Sequence, residues 1–322
     1  MKWVLVLLAL VVTSVLSFSQ DIHVREEAVR LLEKANAAST PMKLPNLERI
    51  DTFQVFGSDS AVKEGTFTRV VIQGTGRRDE TTFGDYHVIN VFTEKGLTTV
   101  RTRELAPPEV NTLMRLTPIY HVSFDHEDVI HNIANRDVNG RAARCIEFDT
   151  VAGQKTGANE ICVDATNGAI VLEKLWDELI ENSEFFSFAG AVVPGRINYS
   201  FAGAAKMEIR QTMAPLTDAT PNVLAAPPNA QIRQFCKTYR RAFGESMPQP
   251  KPGNGGTDVE VVLRGMIMED GRIHDAVVQS SERPDLNAEA LNLIRQWVFT
   301  PAQCDGRSSQ TEASFTLHFQ GR

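Results

Sequence analysis

Three histidines stand among acidic residues in one short stretch of the chain, a composition that could hold a metal ion. The group consists of His121, Asp125, His126, Glu127, Asp128 and His131. Imidazole nitrogens and carboxylate oxygens are common zinc ligands. Consecutive histidines are five residues apart, however, which places them on opposite faces of a strand and out of register on a helix. The spacing therefore predicts a solvated surface and no metal site.

The usual signatures of catalysis are missing from the sequence. It contains neither a His-Glu-x-x-His helix, which would bind catalytic zinc, nor a Gly-x-Ser-x-Gly elbow, which would expose a nucleophile. Gly74-Thr75-Gly76 lacks the third glycine and the following helix of a dinucleotide-binding loop. The acidic, helix-like stretch from Glu173 to Glu184 is expected to form a solvated face or a lid. We predict no enzymatic activity and no cofactor; a hydrolase with a triad dispersed along the chain is the alternative.

The first twenty residues have the order of a secretory signal peptide. Lys2 precedes an apolar run from Trp3 to Leu16, and the small or polar residues Ser17-Phe18-Ser19-Gln20 follow. The apolar run is shorter than the roughly 18 to 20 residues that span a membrane. We predict cleavage after Ser19 or Gln20 and a periplasmic protein. An uncleaved signal that anchors the chain in the inner membrane is the alternative.

The charge distribution argues against nucleic acid as a partner. The net charge is −7, and no stripe of Lys and Arg interleaved with aromatic residues could neutralise a phosphate backbone. We therefore predict that the chain does not bind nucleic acid.

Residues 21–216 read as an α+β domain with one large antiparallel sheet. An amphipathic helix opens it, strands alternate from about Leu47 to Arg103, and a short helix is predicted from Pro107 to Leu116. Asn139-Gly140 then marks a hairpin turn between two further strands. Because each strand has one polar and one apolar face, the pattern predicts a half-barrel partly closed by a few helices.

Residues 217–256 have the composition of a linker, and residues 257–322 form a second, smaller domain. Pro, Gly, Ala, Asn and Gln dominate the linker, within which Ile232 to Phe243 is predicted to form a short helix. In the last domain, Asp270-Gly271 closes a hairpin and Asp285 is predicted to cap a helix. A final alternating strand gives the order ββαβ.

The four cysteines are too scattered for a zinc ribbon, and an even number in an exported chain favours disulfides. They are Cys145, Cys162, Cys236 and Cys304. Three pairings are possible. We favour Cys145 with Cys162 and Cys236 with Cys304, because each pair then ties residues of one predicted domain. We expect the first pair to lie on the outer face of its hairpin, with Glu147 opposite Glu160 as a mildly unfavourable like-charge contact.

The last domain resembles the TonB C-terminal domain family. The resemblance is carried by Gly265, Asp270-Gly271-Arg272-Ile273, Ser280-Ser281, Leu286, Ala290, Trp297-Val298-Phe299-Thr300-Pro301-Ala302 and Gly306. Trp297 and Phe299 read as core anchors, and Pro301 sets the direction of the chain toward the last strand. The chain lacks both the Tyr-Pro that opens the family's domain and the long Pro-rich spacer of an energy-transducing TonB. The resemblance thus implies the fold rather than energy transduction.

The TonB resemblance also implies a mode of binding. Family members offer an edge strand to a short extended peptide, the TonB box of an outer-membrane transporter. Here that strand would run from Thr311 to Phe319. The residues implied to bind the partner are Thr311, Ala313, Phe315, Leu317 and Phe319.

Residues 21–216 resemble the LolA and LolB type of half-barrel. The similar segments are Val138-Asn139-Gly140-Arg141, Cys162-Val163-Asp164-Ala165-Thr166-Asn167-Gly168 and Phe188-Ala189-Gly190-Ala191-Val192-Val193-Pro194. This resemblance implies an apolar concave face and a cavity for acyl chains. We therefore predict an envelope protein that binds protein partners, among them TonB-dependent outer-membrane receptors, by edge-strand addition. A lipid or lipoprotein carrier is the alternative.

Overall fold

The computed structural model describes residues 23–41, 45–57, 61–117, 122–150, 159–217, 221–233, 236–251, 258–281 and 283–321. The predicted signal peptide and His121 lie outside the described residues. Within the described ranges, no helix has the length and apolarity needed to cross a membrane. The chain divides into two compact units, Met1–Gly84 with Thr112–Ala225 and Asp85–Asn111 with Ala226–Arg322.

The first unit is built on a large antiparallel sheet, as the alternating pattern predicts. Its strands follow one another in the order β3-β2-β1-β14-β13-β10-β9-β8-β7-β6. Their bounds are β1 Leu47–Phe56, β2 Val62–Ile72, β3 Gly76–Phe83, β6 Val129–Val138, β7 Arg141–Asp149, β8 Asn159–Asp164, β9 Ile170–Leu175, β10 Glu178–Ser183, β13 Arg196–Phe201 and β14 Ala204–Pro215. A small hairpin is formed by β11 Phe186–Phe188 and β12 Ala191–Val193, and a 3-10 turn by Pro221–Leu224.

The opening helix, α1 (residues 23–39), covers one face of this sheet. Its buried residues Ala28, Leu32 and Ala35 recur at helical spacing, and they share a core with residues of β7, β8 and β9. The sheet residues of that core are Ile146, Phe148, Ile161, Val163 and Ile170. The second helix, α2 (Pro108–Leu116), also begins and ends close to its predicted bounds.

The hairpin of β6 and β7 turns at Asn139 and Gly140, which both have positive φ, as a type I′ turn requires. Strand β7 also pairs antiparallel with β8, with Cys145 opposite Cys162 and Glu147 opposite Glu160. The like-charge contact is relieved by Arg136, which forms ion pairs with both carboxylates.

The disulfide between Cys145 and Cys162 is present, but the prediction that it lies on an outer face is wrong. Both cysteines are buried, in a second small core with Val138, Ala143 and Val171. Leu172 and Phe185 pack against this core. The face that the alternation marks as outward is therefore covered in this part of the sheet.

The helix-like interpretation of Glu173 to Glu184 is also wrong. Strands β9 and β10 occupy this stretch and pair with each other. They are joined by a turn in which Trp176 has φ 55°. Pairing with β8 on one side and β13 on the other outweighs the helical preference of the acidic residues.

The described residues of the second unit form short strands and the helix α3, Asn287–Ile294. Strands β4 Tyr86–Thr93, β5 Gly96–Arg101 and β15 Gln231–Arg233 follow the order β15-β5-β4. Strands β16 Tyr239–Arg240, β21 Ala302–Cys304 and β22 Arg307–Ser309 form a small sheet, and β17 Phe243–Ser246 pairs with β20 Val298–Thr300. A further three-stranded sheet contains β18 Val259–Ile267, β19 Ile273–Ser281 and β23 Thr311–Phe319.

The predicted helix from Ile232 to Phe243 is not formed. Its described residues instead contribute to β15, β16 and β17. Strand β16 pairs with β21, and Cys236 forms the second disulfide, with Cys304. Backbone pairing with strands distant in sequence therefore replaces the local helix.

Asp285 does not cap α3 as predicted. It lies in a 3-10 turn, Pro284–Leu286, that precedes the helix, and Leu286 occupies the N-cap position without a side-chain hydrogen bond. The Asp285 carboxylate instead accepts hydrogen bonds from Arg283 Nε and Nη2 at 2.9 and 2.7 Å. The Arg283 guanidinium thus holds the Asp285 side chain away from the helix end.

Candidate functional site

The first candidate site is the outer edge of β23. Strand β18 occupies the centre of a three-stranded sheet in the order β19-β18-β23. β23 pairs with β18 along its full length, from Thr311 opposite Ile267 to Phe319 opposite Val259. In the part of the chain that the structure describes, β18 is the only strand paired with β23. An edge strand of this kind presents backbone N–H and C=O groups to a further strand.

The side chains of β23 alternate between core and solvent. Phe315, Leu317 and Phe319 are buried, whereas Thr311 and Ala313 are half-buried. The exposed side chains are Glu312, Ser314, Thr316 and His318. The three buried residues of the predicted binding set therefore hold the strand in place, and they can meet a partner only through their backbone.

The predicted aromatic anchors support β23 from beneath. Trp297 and Phe299 are buried, and the Trp297 ring meets that of Phe315 edge-on at 5.5 Å between centroids. Trp297 Nε1 also donates to the carbonyl oxygen of Pro248 at 2.9 Å. Pro301 is half-buried between β20 and β21.

A charged residue that the sequence analysis did not single out lies beside this strand. Arg264 of β18 is 5% exposed and pairs with Glu312 of β23. Burial lowers the pKa of its guanidinium. Period-two counting could not have revealed this position, because it places Arg264 on the same face as the exposed Glu260 and opposite the core residue Leu263.

The second candidate site is a cleft of about 950 Å³ in the first unit. We call it the acidic cleft. Its apolar lining includes Val122, Phe124, Phe148, Ile161, Leu175, Trp176 and Phe201. Its acidic lining consists of Asp125, Glu127, Asp128, Glu173, Asp177 and Glu178.

Glu173 is buried at the base of the acidic cleft rather than solvated, contrary to the sequence interpretation. It lies opposite Ile161 of β8 and Ile180 of β10 and is 6% exposed. Burial raises its pKa to about 7, although the charge of Arg115 acts in the opposite direction. If the stretch had been recognised as a strand, its period would have placed Glu173 on the same face as Leu175.

Glu178, also in the acidic lining, is held by two neighbours. Arg115 of α2 donates to its two carboxylate oxygens at 2.8 and 2.9 Å, and the Tyr199 hydroxyl donates at 3.0 Å. Burial and this hydrogen bond raise the pKa of Tyr199. Glu178 is therefore neutralised within the protein, unlike the exposed carboxylates of the cleft.

The histidine cluster is dispersed in the structure. His126 lies 3.6 Å from a carboxylate oxygen of Glu127, whereas His131 Nε2 lies 2.8 Å from Asp149 Oδ2. The two described histidines thus have different partners.

The sheet of the first unit is not uniformly apolar. On β1, Arg49 and Asp51 form a buried ion pair at 2.7 Å, and Arg49 Nη1 also donates to the carbonyl oxygen of Thr117. Burial raises the pKa of Asp51 despite this partner. On β3, the buried Asp79 binds Arg69 at 2.7 Å. The apolar face implied by the half-barrel resemblance is therefore interrupted by charge on β1 to β3.

Comparison with known families supports the resemblance found in the C-terminal domain. Residues 254–320 match the family described as Gram-negative bacterial TonB protein C-terminal. The match confirms the TonB resemblance predicted for residues 257–322. The matched segment contains β18, β19, α3 and β23. A search of curated proteins finds no match to the chain.

Solved structures similar to the chain include proteins of the LolA superfamily. An outer membrane lipoprotein-sorting protein domain from Vibrio parahaemolyticus covers 60% of this chain and 95% of its own, with 10% identity and a TM-score of 0.36. A LolA superfamily protein from Nitrosomonas europaea covers 61% and 96%, with 12% identity and a TM-score of 0.34. The MucA/MucB complex of Pseudomonas aeruginosa covers 87% and 99%, with 12% identity and a TM-score of 0.31. At such low scores, no function is transferred from these proteins.

Proposed function

We propose that this is a periplasmic protein of the cell envelope whose C-terminal domain binds an extended segment of a partner protein. The segment adds to β23 as a further strand. The observation that carries the proposal is the position of β23, which pairs with β18 over nine residues and lies at the end of its sheet. The proposal assigns no chemical reaction to the protein.

Strand addition fits the alternation of β23. Backbone hydrogen bonds would provide most of the affinity, and pockets between alternate side chains would provide specificity. The exposed side chains of Glu312, Ser314 and Thr316 would flank the added strand on one face. The buried aromatic residues beneath hold β23 in place before the partner arrives, which lowers the entropy cost of binding.

The match to the TonB C-terminal family supports one class of partner, the TonB-dependent outer-membrane receptors. A peptide copied from the TonB box of such a receptor is the appropriate probe. We expect amide hydrogen exchange to slow along Thr311–Phe319 when the peptide binds, and to stay unchanged along the opposite edge strand, Ile273–Ser281. Slowing confined to Ile273–Ser281, or to the first unit, would refute the proposal.

A peptide variant supplies the matched control. N-methylation at alternate positions removes the N–H groups that face β23, whereas methylation at the intervening positions leaves them intact. We expect only the first peptide to lose binding. A substitution within the strand, such as Phe315→Pro, is a less suitable test. Phe315 is buried in the domain core, so its replacement would change folding and binding together.

A lipid or lipoprotein carrier is the second candidate function. It is favoured by the acidic cleft, whose apolar lining and volume of about 950 Å³ suit a bulky apolar ligand. Native mass spectrometry of the protein isolated from its own envelope separates the two. Recovery of a transporter without lipid supports strand addition, and recovery of lipid or lipoprotein alone supports the carrier.

A further inference from the structure

The acidic cleft exposes large aromatic side chains that have no evident structural use. Trp176 is 47% exposed and Phe201 is 45% exposed, although both are large hydrophobic residues. Beneath them, Phe124 and Phe148 meet edge-on at 5.1 Å between centroids. Exposed aromatic residues grouped around a concave surface are typical of binding sites.

The cleft also contains buried polar groups without partners. Asn159 is 2% exposed, and its Oδ1 accepts a hydrogen bond from the backbone N–H of Trp176 at 3.0 Å. Its Nδ2 has no hydrogen-bond partner among the described residues, and neither has Thr150 Oγ1. A buried donor without an acceptor is unfavourable. Because Asn159 Nδ2 has almost no accessible surface, a ligand acceptor reaches it only when the side chains around it shift.

The charged side chains that line the cleft all have one sign. Asp125, Glu127 and Asp177 are exposed carboxylates, and no Lys, Arg or His is found among the described residues that line the cleft. Arg25 is close, but it donates to the backbone oxygens of Asp125 and Asp128 rather than to their side chains. The rim therefore carries negative charge that attracts a cationic ligand.

We propose that the acidic cleft binds a polypeptide segment in which Lys or Arg stands next to an aromatic or aliphatic residue. The apolar side chain would pack against Trp176 and Phe201, the cation would reach Asp125 or Asp177, and a backbone carbonyl would accept from Asn159 Nδ2. An anionic lipid headgroup would be repelled by the same carboxylates. A bare acyl chain would leave Asn159 without an acceptor.

This site is distinct from the strand addition proposed for β23, because all its residues belong to the first unit. The test uses the exported protein and two fluorescently labelled peptides of alternating sequence, Lys-Phe-Lys-Leu-Lys and Glu-Phe-Glu-Leu-Glu, followed by fluorescence anisotropy. We expect the basic peptide to bind, and to bind more weakly as salt is added, and the acidic peptide not to bind. Equal binding of both peptides would overturn the proposal.

Variants locate the binding. Asp125→Asn combined with Asp177→Asn should weaken binding of the basic peptide by about fivefold, because each charge at an exposed rim contributes only modestly to affinity. Trp176→Gly, which suits the positive φ at this position, should weaken binding of the basic peptide more than the double variant does. Glu269→Gln, an exposed acid of the second unit, should have no effect. If neither the double variant nor Trp176→Gly changes the affinity for the basic peptide, the peptide binds elsewhere and the assignment is overturned.

A competition measurement addresses the remaining occupant. Phosphatidylglycerol micelles also bind the basic peptide directly, and this uptake is measured without the protein. Beyond that uptake, the micelles should not displace the peptide from the unmodified protein. Direct binding of phosphatidylglycerol that Trp176→Gly abolishes, with no binding of the basic peptide, would assign the cleft to lipid instead.

Discussion

The backbone of Gly271 lies directly against that of Phe299. The Phe299 N–H donates to the Gly271 carbonyl oxygen at 2.9 Å, and a Cβ on residue 271 would lie 1.9 Å from the Phe299 carbonyl oxygen. This contact fastens the hairpin turn between β18 and β19 to β20, the strand that carries one of the aromatic anchors of β23.

Gly271→Ala should therefore destabilise the C-terminal domain strongly. A φ of +78° already costs an alanine about 1 to 2 kcal/mol, and the clash with backbone atoms adds to that cost. We expect a loss of more than about 3 kcal/mol in the free energy of unfolding, measured by chemical denaturation. Gly306→Ala is the matched control, because Gly306 has φ +79° and no atom within 4 Å of an added Cβ. Similar losses in both variants would contradict the close-contact explanation.

Glu173 should make the stability of the first unit depend on pH. Its pKa is about 7 in the folded protein and ordinarily 4.5, so the folded state holds the proton more tightly. The contribution of this raised pKa to the free energy of unfolding is fully present below about pH 4.5 and is lost as the pH rises through about 7. The total is on the order of 3 kcal/mol.

Glu173→Gln removes this dependence. We expect the variant to be more stable than the unmodified protein at pH 8 and similar to it near pH 4.5, as followed by denaturation at several pH values. Asp177→Asn, in the exposed turn nearby, should leave the profile unchanged. If the free energy of unfolding of the Glu173→Gln variant depends on pH in the same way as that of the unmodified protein, another group is responsible.

The buried pair of Arg49 and Asp51 should be sensitive to the loss of one partner. Arg49→Met leaves the Asp51 carboxylate buried without its cation, and we expect a loss of about 3 to 5 kcal/mol in the free energy of unfolding. The double variant Arg49→Met, Asp51→Leu should recover most of that loss, because no unpaired charge remains. Denaturant titration of the three proteins is the measurement, and a double variant as unstable as the single one would contradict the argument.

The two disulfides should differ in their accessibility to reductant. Cys145 and Cys162 are 0% and 1% exposed, whereas Cys236 is an exposed residue. Thiol exchange requires access to the sulfur. We expect mild reduction to open the Cys236–Cys304 bond first, and alkylation followed by mass spectrometry to identify it. Simultaneous opening of both bonds would indicate that the first unit unfolds under the same conditions.

Local sequence patterns predicted much of the fold. The alternation of Phe315, Leu317 and Phe319 indicated β23, and Asn139-Gly140 indicated the hairpin of β6 and β7, because both signals depend on neighbouring residues alone. The short strands β15, β16 and β17 escaped prediction. They are formed by pairing with residues far away in the chain, and nothing in their own composition outweighs a helical interpretation.

The candidate sites were predicted unevenly for the same reason. The edge strand followed from the family resemblance, which specifies the order of the strands. The acidic cleft did not, because Asn159, Glu173 and Phe201 come together only when β8, β9 and β13 occupy one sheet. The sequence marked Glu173 as acidic but gave no measure of its burial.

The pairing of β18 and β23 also determines how the C-terminal domain would respond to force. The two strands are antiparallel and matched over nine residues, so tension applied along β23 is shared by the whole ladder as shear. Tension applied across the strand would instead open the pairs one at a time from an end. A partner that pulled along the strand axis would therefore meet far greater mechanical resistance than one that peeled β23 away.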